Sequence, residues 1–193
     1  MVIASQIVSV LFSIFSRLQK TKTKSLILLL ISNTINIISL ILLDQAAGTF
    51  LTVATIIRTV IFFLYNKFNL KPSIVTLVTF ELSFIIITGV TWSSSVDMLF
   101  LLGVIILTFA TWQDNMFVLR NGMILNSIIL IAYDILVGAY INIIGELFCL
   151  IAAIIAIIYY DIYKRTTPII KRLLYYVKPR RKRKRLRARL RKR

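Results

Sequence analysis

The chain has 193 residues, 59% of them hydrophobic, with a net charge of +17 and no histidine. Soluble domains carry about 45–50% apolar residues, so apolar runs over most of residues 2–160 exclude a water-soluble fold and predict one helical bundle in lipid. The only cysteine, Cys149, lies in an apolar run, which excludes an intrachain disulfide framework and, without histidine, a His/Cys metal site; no metal and no cofactor is expected.

The positive charge is not spread evenly. Residues 164–193 hold 16 of the 24 Lys and Arg and no acid, whereas the preceding 163 hold 8 basic and 7 acidic side chains. A nearly neutral membrane body therefore carries a cationic tail. The expected division is a seven-helix transmembrane domain over 1–163, a juxtamembrane amphipathic helix over 164–179 and a basic cytoplasmic tail over 180–193.

The first sixteen residues are apolar but lack a basic start and a small-residue cleavage site, so they predict a retained helix rather than a signal peptide. Spans are expected near Val2–Phe15, Ser25–Leu43, Thr49–Tyr65, Ser73–Val90, Val96–Thr111, Gly122–Val137 and Ile141–Tyr160. The loops test that count. Odd-numbered loops carry Arg17, Lys20, Lys22 and Lys24, then Lys67 and Lys71, then Arg120 with Asp114. Even-numbered loops carry Asp44, then Trp92 to Asp97, then Gly138 to Asn142. Cytoplasmic loops collect Lys and Arg, so the odd loops and the tail face the cytoplasm and the N-terminus lies outside.

Sliding the chain by 94 residues lays spans 1–3 over spans 5–7 without a gap and superposes Gln19 on Gln113, Phe15 on Phe109 and Tyr65 on Tyr159. Because span 4 intervenes, the two triplets share one orientation. The predicted fold is all-α, with two parallel three-helix repeats and a linker helix, a 3+1+3 plan.

Four ionisable residues fall inside spans: Arg58, Glu81, Asp134 and Glu146. Such residues face a bundle interior or water and have partners. Arg58 is expected to be neutralised by Glu81 or Glu146. Thr52, Thr55 and Thr59 recur on one side of span 3, and Asn33 and Asn36 join them from span 2. These polar groups either line a substrate or proton route or act as interhelical glue. Gly103 and Gly122 are expected as packing or helix-end positions rather than ligand contacts. An intramembrane protease needs a Ser–His pair, paired Asp residues or zinc ligands, and none is assembled here, so no enzyme is expected.

The ordered residues Leu42-Leu43, Gly48, Ile56-Ile57-Arg58-Thr59, Gly103, Trp112, Arg120, Tyr133-Asp134, Gly138 and Ile144-Gly145-Glu146 resemble the YgjV family of bacterial inner-membrane proteins over residues 1–162. That resemblance implies a multi-pass protein of the bacterial cytoplasmic membrane. The family itself is distantly similar to the SWEET and PnuC 3+1+3 carriers. The basic tail departs from its pattern.

In the tail, Thr166-Thr167-Pro168 opens a segment in which Ile169, Ile170, Leu173, Leu174 and Val177 recur at helical spacing opposite Lys171 and Arg172. Pro179 ends it, and 180–193 contains 11 basic residues in 14. Lys171, Arg172, Arg180, Arg181, Lys182, Arg183, Lys184 and Arg185 are the expected contacts for anionic lipid of the inner leaflet. Nucleic acid is the alternative partner.

Two function classes follow: a carrier for a small polar metabolite, or a non-transporting anchor or assembly protein that works through its tail. A carrier requires a water-accessible cavity reaching Arg58 or Glu146. A scaffold requires a sealed bundle with its charges paired.

Overall fold

A computed structural model describes residues 2–42, 46–92 and 94–163. The tail residues assigned above to an amphipathic helix and to lipid contact, and Leu43 and Asp44, lie outside the described residues. The first compact unit ends at Ala156 and contains seven α-helices. They are α1 (Val2–Arg17), α2 (Lys22–Leu42), α3 (Ala46–Lys67), α4 (Ile74–Val90), α5 (Asp97–Trp112), α6 (Met116–Val137) and α7 (Tyr140–Ala156). The described part of the second unit is a π-helical segment, Ile157–Tyr163.

Local chemistry sets the helix ends. Pro72 precedes α4, and the side chain of Ser73 accepts from Val75 N at 3.2 Å as its N-cap. Asn115 caps α6 by accepting from Phe117 N at 3.0 Å. Gly138 ends α6 at φ 77°, a left-handed conformation that costs glycine nothing, and Ala139 N donates to Asp134 O at 2.8 Å. That tight exit lets α7 begin two residues later.

Four stretches are long and apolar enough to cross a membrane: Lys22–Leu42, Gly48–Lys67, Met116–Val137 and Asn142–Asp161. The helices at Ile3–Arg17, Ile74–Val90 and Asp97–Trp112 are apolar but shorter. Large apolar side chains such as Ile41, Val75, Ile86 and Phe148 point outward and are more than half exposed, the pattern of a surface that meets lipid.

The core between helices is small and polar. Helix α2 packs between α1 and α3, α6 between α5 and α7, α1 also meets α7, and α4 lies against α3 and α5. Serines at seven-residue spacing form the α1–α2 seam. Ser9 donates to Ser32 O at 3.0 Å, Ser32 returns a bond to Ser9 O at 2.8 Å, and Ser16 donates to Ser25 O at 2.7 Å. Ser5 and Ser39 meet at 2.7 Å. A seven-residue repeat of small residues keeps two helices facing each other along their length, and in lipid each such bond contributes about 0.6 kcal/mol. The α5–α6 seam is closer still. A Cβ added at Gly122 would collide with the Cβ of Ala110, and one at Gly103 would sit 2.9 Å from Asn126 Oδ1. Both glycines are packing positions, as expected.

Candidate functional site

Three junctions gather at one end of the bundle. Asn66 at the end of α3 donates to Thr23 Oγ1 at 2.6 Å, and the Trp112 indole donates to Pro72 O at 3.1 Å. Lys22 donates to Gln113 O at 2.8 Å and lies 3.8 Å from the Asp114 carboxylate, while Arg120 donates to Gln19 O at 2.8 Å. So a cation from each half of the chain satisfies a helix-end carbonyl of the other half. Buried Ser16, Ser25, Leu26, Leu119, Met123 and Thr111 fill the space behind these bonds.

A cavity of about 280 Å³ lies inside the bundle, lined by α1, α2, α3, α5, α6 and α7. Phe100, Asp134 and Asn142, each within one turn of a helix end, line the part farthest from the clamped junctions. Asn142 is exposed there and sits beside Asp134. Asn33, Asn36, Thr52, Thr55, Asn126 and Glu146 form the polar wall. Arg58 lies 12 residues beyond the start of α3, about 18 Å of helix, and it has no exposed surface.

Glu146 reaches the cavity because Gly145 allows α7 to approach α1; a Cβ there would stand 3.0 Å from Val10 Cγ2. Its carboxylate accepts from Arg17 Nη2 at 3.3 Å and from Ser127 Oγ at 2.6 Å. Arg17 also donates to Ser127 Oγ and to Met123 O. These bonds tie α1, α6 and α7 together.

Arg58 is held differently. Its Nη1 donates to Thr108 Oγ1 at 2.6 Å, and the Thr108 hydroxyl in turn donates to Val104 O at 2.7 Å. The Phe84 ring lies 5.5 Å from the guanidinium carbon, an attractive cation–π distance. Nε and Nη2 have no hydrogen-bond partner, nor does Asn33 Nδ2. The threonines on the same helix are quiet by comparison, since Thr52 and Thr59 donate to Gly48 O and Thr55 O, each at 2.7 Å.

Five of the six expected site residues, Arg58, Glu146, Asp134, Asn33 and Asn36, line this one cavity. Glu81 does not. It sits on α4 one turn from Phe84 and influences Arg58 electrostatically, yet it makes no ion pair with Arg58, whereas Arg17 pairs with Glu146 and Lys22 with Asp114. The expected pairing of Arg58 with Glu81 or Glu146 is thus corrected: Glu146 belongs to Arg17, and Glu81 stays beyond ion-pair distance. Arg17, Lys22 and Arg120 also need correction, because they are buried helical residues rather than loop charges. Side chains on a helix lean toward its N-terminus, so a cation in the last turn of α1 reaches back into the bundle. That signal was available for Arg17, and the serine spacing was available for the α1–α2 seam.

No curated protein and no solved structure matches the chain. The family model Imp-YgjV, described as bacterial inner membrane protein, matches residues 3–165, nearly all of the helical body. The chain belongs to the Imp-YgjV family of bacterial inner membrane proteins.

Proposed function

We propose that this protein carries a small polar metabolite across the bacterial inner membrane, using the cavity as its binding site. One observation carries this reading: a polar cavity reaches a fully buried Arg58 whose Nε and Nη2 have no partner. A buried, unsatisfied guanidinium is costly in any bundle that serves only as a scaffold.

The cavity sits between two halves that read as parallel repeats. Helices α2 and α6 start 94 residues apart, as do α3 and α7, and α1 and α5 are both 16 residues long. Packing supports the same shift. Ser9 against Ser32 maps onto Gly103 against Asn126, and α1 against α7 maps onto α5 against α3. With α4 as linker and all seven helices spanning, the Lys- and Arg-rich junctions face the cytoplasm and the cavity opens outward. The Lys22–Gln113 and Arg120–Gln19 bonds then form the closed inner gate, and transport requires them to break as the two halves rock. The chemistry is binding and passage, not catalysis. The charges of the cationic tail suit it to attract anionic lipid of the inner leaflet.

The test is solute exchange in proteoliposomes of the full chain, guided by metabolite profiling of cells that lack or overproduce it. A solute accumulating in one strain and exchanged by the reconstituted protein supports the carrier. Liposomes that pass no polar solute of any class contradict it.

A further inference from the structure

The carrier reading leaves the chemical class of the ligand open, and the groups around Arg58 narrow it. The two unpartnered nitrogens, Nε and Nη2, are adjacent on one edge of the guanidinium. Their N–H bonds run parallel, at the spacing that matches the two oxygens of a carboxylate. The third nitrogen is spent on Thr108 and the ring face on Phe84, so the unpartnered edge, buried beside the cavity, is held in one orientation. Asn33 lines the same cavity from α2 and offers an unpartnered amide donor. The other cation of the lining, Arg17, is taken up by Glu146.

On these grounds, and resting on the carrier reading, we propose that the ligand is a compact monocarboxylate, bound side-on by Nε and Nη2 of Arg58 with the Asn33 amide as a further donor. Three features of the cavity restrict it. Its volume of about 280 Å³ lies just below the range of ligand pockets, about 300 to 1,000 Å³. With Arg17 and Glu146 paired, the lining sets Arg58 alone against the Asp134 carboxylate, a balance that disfavours a dianion such as phosphate. Finally, Asn36, Thr52 and Asn126 supply neutral polar contacts for hydroxyl or keto groups on the rest of the molecule.

The experiment measures thermal unfolding of the purified full-length protein in detergent against a panel of two- to six-carbon monocarboxylates. Each acid is paired with its neutral amide, and inorganic phosphate and glycerol are included. The expected result is a saturable rise in Tm with at least one acid and none with its amide. Arg58→Lys keeps a cation but loses the paired donors, and it should weaken that acid by about tenfold or more. Asn33→Ala should weaken it by a smaller factor and covers the case in which the Arg58 variants do not fold. An amide equal to its acid, stabilisation by phosphate, or an unchanged acid response in Arg58→Lys would overturn the assignment. So would a panel in which no acid acts. If glycerol or another neutral solute exchanges in proteoliposomes while no acid binds, the carrier stands and the carboxylate falls; if nothing binds or exchanges, both fall.

Discussion

Replacing Glu146 by glutamine keeps the shape of the side chain and removes its charge, so it isolates the electrostatic part of the bonds it makes. At 3.3 Å from Arg17, the Coulomb attraction is about 5 kcal/mol for an effective dielectric near 20. Most of that offsets the cost of burying two charges. Removing one member of a buried pair typically costs about 3–5 kcal/mol. The value should be lower here, because 22% of the Glu146 side chain remains exposed and Arg17 keeps Met123 O and Ser127 as acceptors. We expect Glu146→Gln to destabilise the protein by about 2–3 kcal/mol. Arg17→Gln should cost about 1 kcal/mol, since the stranded carboxylate can take a proton whereas a stranded guanidinium cannot lose one. The double variant should recover about 1.5 kcal/mol or more of the summed loss. Unfolding by graded SDS in mixed micelles, followed by far-UV circular dichroism, gives the three values. Additive losses, or an Arg17 variant weaker than the Glu146 variant, would refute the pair and the tie it makes between α1 and α7.

Gly122→Ala forces a methyl into Ala110 and should cost about 1–3 kcal/mol, and adding Ala110→Gly should restore most of it, read by the same titration. Reporter fusions at residues 92–97 and 138–142 should read as external and those at 67–71 and 193 as cytoplasmic, with an external C-terminus sinking the seven-span topology. A peptide of residues 166–193 should bind anionic vesicles, release them as salt rises and ignore neutral ones, as a flotation assay would show. Binding that survives high salt would mean its apolar positions, not its charges, hold it.

Much of the helical body was legible in the sequence, because apolar runs of membrane length admit little else. Boundaries failed where polar residues continued a helix. The sixth span was expected from Gly122, but α6 begins at Met116, since Arg120 is buried against Gln19 O instead of marking a loop. Of the charges deep inside spans, Arg58, Asp134 and Glu146 converge on the cavity and Glu81 does not. Their partners were not legible, because Arg17 and Glu146 lie on different helices and meet only through the α1–α7 contact that Gly145 permits. A cation at a helix end reads as a topology signal until its side-chain direction is considered. The serine seam was overlooked for a similar reason: small residues in an apolar run carry little hydropathy contrast, and only their seven-residue spacing distinguishes them.

If the cavity is a carrier's binding site, water reaches it from the end opposite the Lys22 and Arg120 clamp. Single cysteines at Asn36, Thr52 and Ser25 in a Cys149→Ser background measure this directly, using a membrane-impermeant thiol reagent added from outside intact cells. Asn36→Cys and Thr52→Cys should be labelled and Ser25→Cys protected, because Ser25 lies buried on the clamped side. Protection of all three would mean a sealed bundle and contradict the carrier reading.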